Sequence, residues 1–288
     1  MGTPASGLNE ASVLVTRAFD FDPEINLREI VLVGLGGTGS QLVRSVCRTL
    51  FDMKMRNQMV PRLCLVDPDV VEMKNVGRQM FAVADVGHFK AEVLARRFSA
   101  ALGLNIRFHA DLFQPSMAYN GGYGNNRLLL GAVDNHEARC ALADCGGLWI
   151  DCGNHYSSGQ VVIGNTKSTD LIRHEMSQPA KHPKLDALSD TYTIRHLPTA
   201  AVLFPQLLEP PEEPEPALSC AELVEIGEQH LLVNDLVADV AAQYVYRLLH
   251  RQPIRSFMTY IDTDLMNVRS VPITRAELEY RLPKKEVA

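Results

Sequence analysis

The run Gly34-Leu35-Gly36-Gly37-Thr38-Gly39-Ser40 is a place where a chain can hold a phosphate. Glycines let the backbone turn tightly and approach a ligand, and a helix that starts there offers free N–H groups and a partial positive charge. The apolar run Ile30–Val33 before it reads as a buried strand, and Leu42, Val43, Val46 and Leu50 after it recur at helical spacing. Strand, glycines and helix in that order make Gly34, Gly36, Gly37 and Gly39 a candidate nucleotide loop. Asp67, which ends the next apolar run Leu63–Val66, stands where a ribose-binding carboxylate belongs. A tight turn with no ligand would use the same glycines, and the loop alone does not separate NAD or FAD from ATP. The sequence has no G-x-x-x-x-G-K-[ST], which argues against a P-loop NTPase.

The segment after the second strand carries more charge. It reads Asp67-Pro68-Asp69-Val70-Val71-Glu72-Met73-Lys74-Asn75-Val76-Gly77-Arg78-Gln79, with Lys90 following at the start of a helix. A dinucleotide pyrophosphate carries about two negative charges, handled largely by backbone N–H groups. A triphosphate carries roughly twice that, and pyrophosphate leaves more readily with cationic side chains placed on it. Arg78 can fork two phosphate oxygens, Lys90 supplies a point charge, and Asn75 adds a neutral donor. Each has a plain alternative: Arg78 as a solvated loop charge, Lys90 as a helix-surface lysine. Asp134, at a strand end, has one too, as the N-cap of the helix that follows.

Gly34–Ser40, Asp67–Gln79, Gly87–Lys90 and Ala132–Arg139 together resemble the ThiF/MoeB/HesA adenylating enzymes, the superfamily that includes the ubiquitin-activating enzymes. The similarity rests on Asp67, Asn75, Arg78, Gln79, Gly87 and Lys90, on Asp134-Asn135 before a helix, and on Ile150–Gly153 with Gly159–Val161. It spans residues 28–165, with a weaker echo over Ser219–Leu249. Asn75–Gln79, Ala84–Gly87 and Leu197–Thr199 look most like the ThiF-like members of PRTRC systems, bacterial clusters that also encode ubiquitin-like, conjugating-enzyme-like and JAB-peptidase-like proteins.

The resemblance implies that the C-terminal carboxylate of a ubiquitin-like protein attacks the α-phosphate of ATP-Mg, giving an acyl-adenylate and pyrophosphate. The glycines would then cradle phosphates and Asp67 would hold the ribose, with Asp69, Gln79 and Asn135 also in the nucleotide site. Asn75, Arg78 and Lys90 would bind the triphosphate, and Asp134 would position magnesium. A conjugating-enzyme-like protein is a further expected partner. A homodimer is expected because the family pairs two such domains. The helix Leu231–Leu249 also points that way, being apolar enough to need covering, with Leu231, Leu232, Val233, Leu236, Val237 and Val240 spread beyond one stripe.

Three family features are absent or weak. The two zinc-binding Cys-x-x-Cys pairs are missing, so no structural zinc is expected. Only Arg17 and Arg28 stand where an N-terminal arginine motif would reach a partner's ATP. The crossover Thr166–Ala217 holds no cysteine, and Cys220 beyond it reads as a structural thiol, with no Lys or His neighbour to lower its pKa. Adenylation without an enzyme thioester is the favoured version.

The elements that must position these residues alternate. Beyond those already named, the pattern predicts a helix over Lys90–Leu102, a strand at Ile106–His109, a glycine/asparagine loop at Gly121–Asn126 and a strand at Leu128–Val133. A helix follows at Asn135–Asp144, then strands at Leu148–Asp151 and Gln160–Ile163. Strand alternating with helix predicts an α/β fold, a Rossmann-like three-layer mixed and largely parallel sheet. The expected layout is an N-terminal arm over residues 1–27 and one adenylation domain over 28–288, with the C-terminal helix and hairpin within 221–273. After Ile163, about fifty residues lack strong periodicity, and such length without structure marks a functional crossover or a mobile segment. His174, His182 and His196 in that stretch read as exposed loop residues, since they lack zinc spacing.

A net charge of −6 over 288 residues argues against a general nucleic-acid binder. Six scattered cysteines, no signal-peptide layout and no apolar run long enough to span a bilayer suggest a reduced, soluble, cytoplasmic protein. Two other functions use the same fold: an NAD-dependent oxidoreductase, and a non-catalytic nucleotide-binding adaptor.

Overall fold

The structure is a computed structural model, and it describes residues 18–119, 126–178, 180–181, 192–210 and 232–284. The expected loop at residues 121–125, and Arg17, His182, Cys220 and Leu231, lie outside the described residues.

After a short strand β1 (Asp20–Phe21), the chain runs β2 (Glu29–Val33), α1 (Gly37–Met55), β3 (Arg62–Val66), α2 (Lys90–Leu102), β4 (Ile106–His109), α3 (Pro115–Tyr119), β5 (Arg127–Gly131) and α4 (His136–Cys145). It continues through β6 (Leu148–Asn154), β7 (Ser158–Gly164), α5 (Thr169–Ser177), β8 (Ala180–Lys181), β9 (Tyr192–Ile194) and α6 (Ala200–Leu203). The last elements are α7 (Val233–Leu249), β10 (Ser256–Asp262), β11 (Asn267–Pro272) and α8 (Arg275–Arg281).

Eight strands form the main sheet in the order β11-β10-β7-β6-β5-β2-β3-β4. Strands β4, β3, β2, β5 and β6 are parallel, and β7, β10 and β11 continue the sheet antiparallel. Strands β2 and β5 are buried at every position, as strands covered on both faces must be. The chain leaves β2 toward β3 and β4, then returns to β5 on the other side of β2. That reversal makes the paired ends Val33 and Gly131 a topological switch point, the place where open α/β sheets form a ligand crevice.

Two expectations need correction. The stretch after Ile163 is not structureless: α5 is capped by Ser168, whose Oγ accepts the Leu171 N–H. In the same region, β9 pairs with β8 and, in parallel, with β1. Its short elements are stabilised by side-chain caps and by pairing with residues far away in sequence, which no local period reports. The long helix α7 is covered in large part by its own chain, while Leu232 and Leu236 stay exposed. Val237, Ala238, Ala241 and Val245 are buried, and the helix packs on α1 and on strands β6, β7 and β10. Its buried apolar residues extend beyond one stripe because it lies between a helix and a sheet.

The segment read as an arm contributes to the core where it is described, since Phe19, Phe21 and Leu27 are buried. His174 sits exposed on α5, whereas His196 is half-buried, its Nδ1 2.8 Å from Glu175 Oε1. No helix among the described residues is long and apolar enough to cross a membrane.

Candidate functional site

The glycines of the loop do different jobs. Gly34 has φ +84°, and a Cβ there would fall 2.5 Å from the Ala132 carbonyl oxygen, so the exits of β2 and β5 can pass closely only because residue 34 is glycine. A Cβ on Gly39 would overlap the Gly34 carbonyl, and one on Gly37 would strike the Asn234 side chain. Gly36 alone of the four borders open space. There the backbone at the start of α1 is free to meet a ligand, with the N–H groups of the first helical turn behind it.

Asp67 holds this loop from below. It is buried, and its two oxygens accept the N–H groups of Leu35 at 2.6 Å and Asp69 at 2.9 Å. Burial pushes its carboxyl above the usual range, while the Lys90 charge and the two N–H groups pull it back. Asp69 is the opposite kind of carboxylate, 62% exposed at the side chain, with Oδ2 2.9 Å from Lys90 Nζ. Lys90 reaches it because the chain folds back on itself. Gly87, at φ +87°, donates its N–H to Val71, and Lys90 donates its own N–H to the Asp69 carbonyl. Lys90 is therefore a buried residue at the head of α2 and not a surface lysine.

Arg78 and Gln79 are brought to the loop by a second fold-back. Asn75 is buried, its Oδ1 accepts the Glu72 N–H at 2.8 Å, and its carbonyl accepts from Arg78 and Gln79. The next residue, Met80, donates its N–H to Ser40 Oγ at 3.2 Å, in the first turn of α1. Arg78 is thus a half-buried residue fixed beside the glycine loop, and Gln79 Oε1 is a buried acceptor with no hydrogen-bond partner.

Asp134 follows β5, and Ala132 two residues before it donates its N–H to Val33 at 2.9 Å. The N-cap of α4 is Asn135, whose Oδ1 accepts the Ala138 N–H at 2.8 Å. The capping role weighed for Asp134 therefore belongs to its neighbour. The Asp134 carboxylate stays exposed at the crevice. Among the described residues no group of three or more His, Cys, Asp or Glu side chains could hold a metal ion. One exposed carboxylate beside a glycine loop is compatible with magnesium, which takes one or two carboxylates and completes its shell with phosphate oxygens and water.

The motif residues thus meet at one end of the sheet, from the exits of β2, β3 and β5 and the heads of α1 and α2. Arg28, by contrast, precedes β2 at the sheet's other end. Cavities of about 220 and 320 Å³ also lie at that end, lined by Ile25, Leu27, Leu248 and Arg251 among others and by none of the motif residues. Burial pushes the thiols of Cys47, Cys64, Cys145 and Cys152 up, to about 12 for Cys47 and about 11 for Cys64 and Cys145. None of these four is poised as a nucleophile.

Sequence reasoning missed the groups that brace the loop: Ser40, Asn154 and Asn234. Ser40 stood inside the glycine run without a role. Asn234 gave no local signal, because its partner Thr38 is 196 residues away.

The sequence profile of the ThiF family matches residues 20–282. No curated protein matches the chain. Among solved structures, E. coli MccB with ATP is similar at 16% identity and a TM-score of 0.51, over 88% of this chain and 65% of that one. Microcin C7 biosynthetic enzyme MccB in complex with N-formylated MccA is similar at 15% identity and a TM-score of 0.52, over 88% of this chain and 66% of that one. The chain thus spans about two-thirds of the length of these MccB structures, and the likeness is one of fold.

Proposed function

The chain belongs to the ThiF family, and from that premise we propose that it activates a carboxylate with ATP, forming an acyl-adenylate and pyrophosphate. The observation that carries this reading is that two fold-backs tie the segments of Lys90 and Arg78 to the surroundings of the glycine loop, with Asp134 following the adjacent strand β5. A dinucleotide oxidoreductase would have no use for that set of charges.

The substrate carboxylate oxygen attacks the α-phosphorus of ATP. A new O–P bond forms as the bond from that phosphorus to the bridging oxygen of pyrophosphate breaks. Such a displacement asks little of acid–base groups and much of positioned cations. The backbone around Gly36 receives phosphate, and Lys90 and Arg78 neutralise the charge that grows on the leaving group. Asp69, exposed and oriented by Lys90, is the carboxylate placed for the ribose hydroxyls, while Asp67 shapes the loop from within. Asn75 sets the turn that carries Arg78, and Asn135 shapes the turn that carries Asp134. Magnesium held at Asp134 would neutralise phosphate charge when bound.

The carboxylate is that of the C-terminus of a ubiquitin-like protein, of the kind found in PRTRC clusters, and a conjugating-enzyme-like protein takes the product onward. That a family neighbour has been solved with ATP and another structure of it with N-formylated MccA supports a carboxylate-bearing chain as partner. Transfer without an enzyme thioester is the favoured route, and burial raises the thiols of Cys47, Cys64, Cys145 and Cys152 away from that role. The working unit is a homodimer in the cytoplasm. ATP–pyrophosphate exchange in the presence of the ubiquitin-like protein tests the proposal. Exchange dependent on that protein is expected, and ATP binding without any exchange would leave the adaptor reading in its place.

A further inference from the structure

Helices α1 and α7 lie side by side and run the same way. Thr38 meets Asn234 at their heads, Ser45 Oγ is 3.5 Å from Asp239 farther along, and Asp52 is 4.0 Å from His250 near their ends. The second residue of α7 is therefore carried under the glycine loop. Asn234 is 5% exposed, and its Oδ1 accepts the Thr38 hydroxyl at 3.0 Å and the Asn154 amide. Asn154 also reaches Thr38, at 3.4 Å, so three side chains from α1, β6 and α7 close on one another. The Asn234 amide fills the space beside Gly37 where a Cβ would go, 2.5 Å from that position.

No local role accounts for this asparagine. The N-cap position of α7 is Leu232, with no side-chain cap, so Asn234 is not capping its own helix. Asparagine is also a mediocre choice for a helical turn. An apolar residue there would leave Thr38 and Asn154 without their shared acceptor. A glycine-rich loop loses more conformational freedom on ordering than any other segment. A loop already held in place spares that loss when ligand arrives.

On the nucleotide reading given above, we infer that Asn234 is a positioning residue for the triphosphate, holding Gly37 and Thr38 in the conformation that receives phosphates. It acts from the far end of the chain and touches no reacting atom. Its effect falls on groups that bind the phosphate tail and leaves the adenosine end alone.

Calorimetric titration of the full chain with ATP-Mg and with adenosine tests this on the wild type, Asn234→Ala, Thr38→Val and the double variant. Loss of the shared hydrogen bonds is expected to weaken ATP-Mg binding on the order of tenfold in each single variant. Adenosine affinity should stay within twofold, and the double variant should be no worse than either single one, because both remove the same brace. Thr38→Val keeps the side-chain shape and carries the test if Asn234→Ala does not fold. Unchanged ATP-Mg affinity in both single variants, equal losses for ATP-Mg and adenosine, or additive losses in the double variant would overturn the inference and leave the nucleotide site standing. A wild type that binds neither ligand would overturn both.

Discussion

Glu29 at the start of β2 and Asp67 at the end of β3 are both carboxylates taken out of water, 0% and 5% exposed. Their partners differ in kind. Glu29 is held between two guanidinium groups, Arg127 Nε at 2.9 Å and Arg107 from two strands away. Asp67 is held by the backbone N–H groups of Leu35 and Asp69. At the first end, charge meets charge across β2, β5 and β4, and the result is a closed cluster that ties strands together. At the second, a carboxylate shapes a loop, and nearby Lys90 pairs with the exposed Asp69. One end of the sheet uses its buried polarity to tie strands together, and the other, on the proposed function, holds it for a ligand.

The largest effect that would break this comparison lies at the closed end. Glu29→Gln leaves Arg127 buried without its counter-charge and should cost about 3–5 kcal/mol in urea unfolding. ATP binding of the folded fraction should be unchanged; a variant of wild-type stability would show that the cluster contributes no net stability. At the open end, Arg78→Ala should lower pyrophosphate exchange about a hundredfold with little change in the unfolding midpoint. A large loss of stability with preserved exchange would reverse the roles assigned to the two ends.

Asp151 lies between these extremes. It is fully buried, Arg139 Nε is 3.6 Å away, and neither carboxylate oxygen has a hydrogen-bond partner. Burial pushes its carboxyl to about 6, and the Arg139 charge offsets only part of this. A carboxyl raised in the folded state favours folding most when protonated. Its contribution should be complete below about pH 4 and lost as pH rises through about 6. Unfolding midpoints followed across that range should fall in the wild type, by about 3 kcal/mol in stability. Asp151→Asn should flatten that slope, and an unaltered slope would place its origin elsewhere.

The smallest effect separates the adjacent residues Asp134 and Asn135. Asn135→Ala should cost about 1 kcal/mol of stability by removing the α4 cap, with the magnesium dependence of exchange kept. Asp134→Asn should keep stability and lose that dependence. Matching behaviour of the two variants would mean that the crevice does not distinguish cap from ligand.

Much of this was legible in the chain. The strands Glu29–Val33, Arg62–Val66 and Ile106–His109 and the helix Lys90–Leu102 follow apolar periods that each element writes within itself. The loop and the Asp67–Lys90 motif were equally visible, because glycines and charges at fixed spacing are local facts. The covering of α7 by α1 was not, since an apolar helix looks the same whether its own chain or another covers it.

What the sequence by itself determined was the menu: a mixed, largely parallel α/β sheet, a glycine loop after its first long strand, and the cations and carboxylates a triphosphate would need. Only the tertiary structure decided which of them are buried, which exposed and what each one pairs with. It buried Asp67 and left Asp69 exposed beside Lys90. It gave the α4 cap to Asn135, and it brought Asn234 beneath Gly37. Each of these choices depends on which residues meet after the chain has crossed the sheet. Hydrogen-bond partners tens to hundreds of residues apart are set by strand order and helix packing, and a period read along a single element carries no record of them.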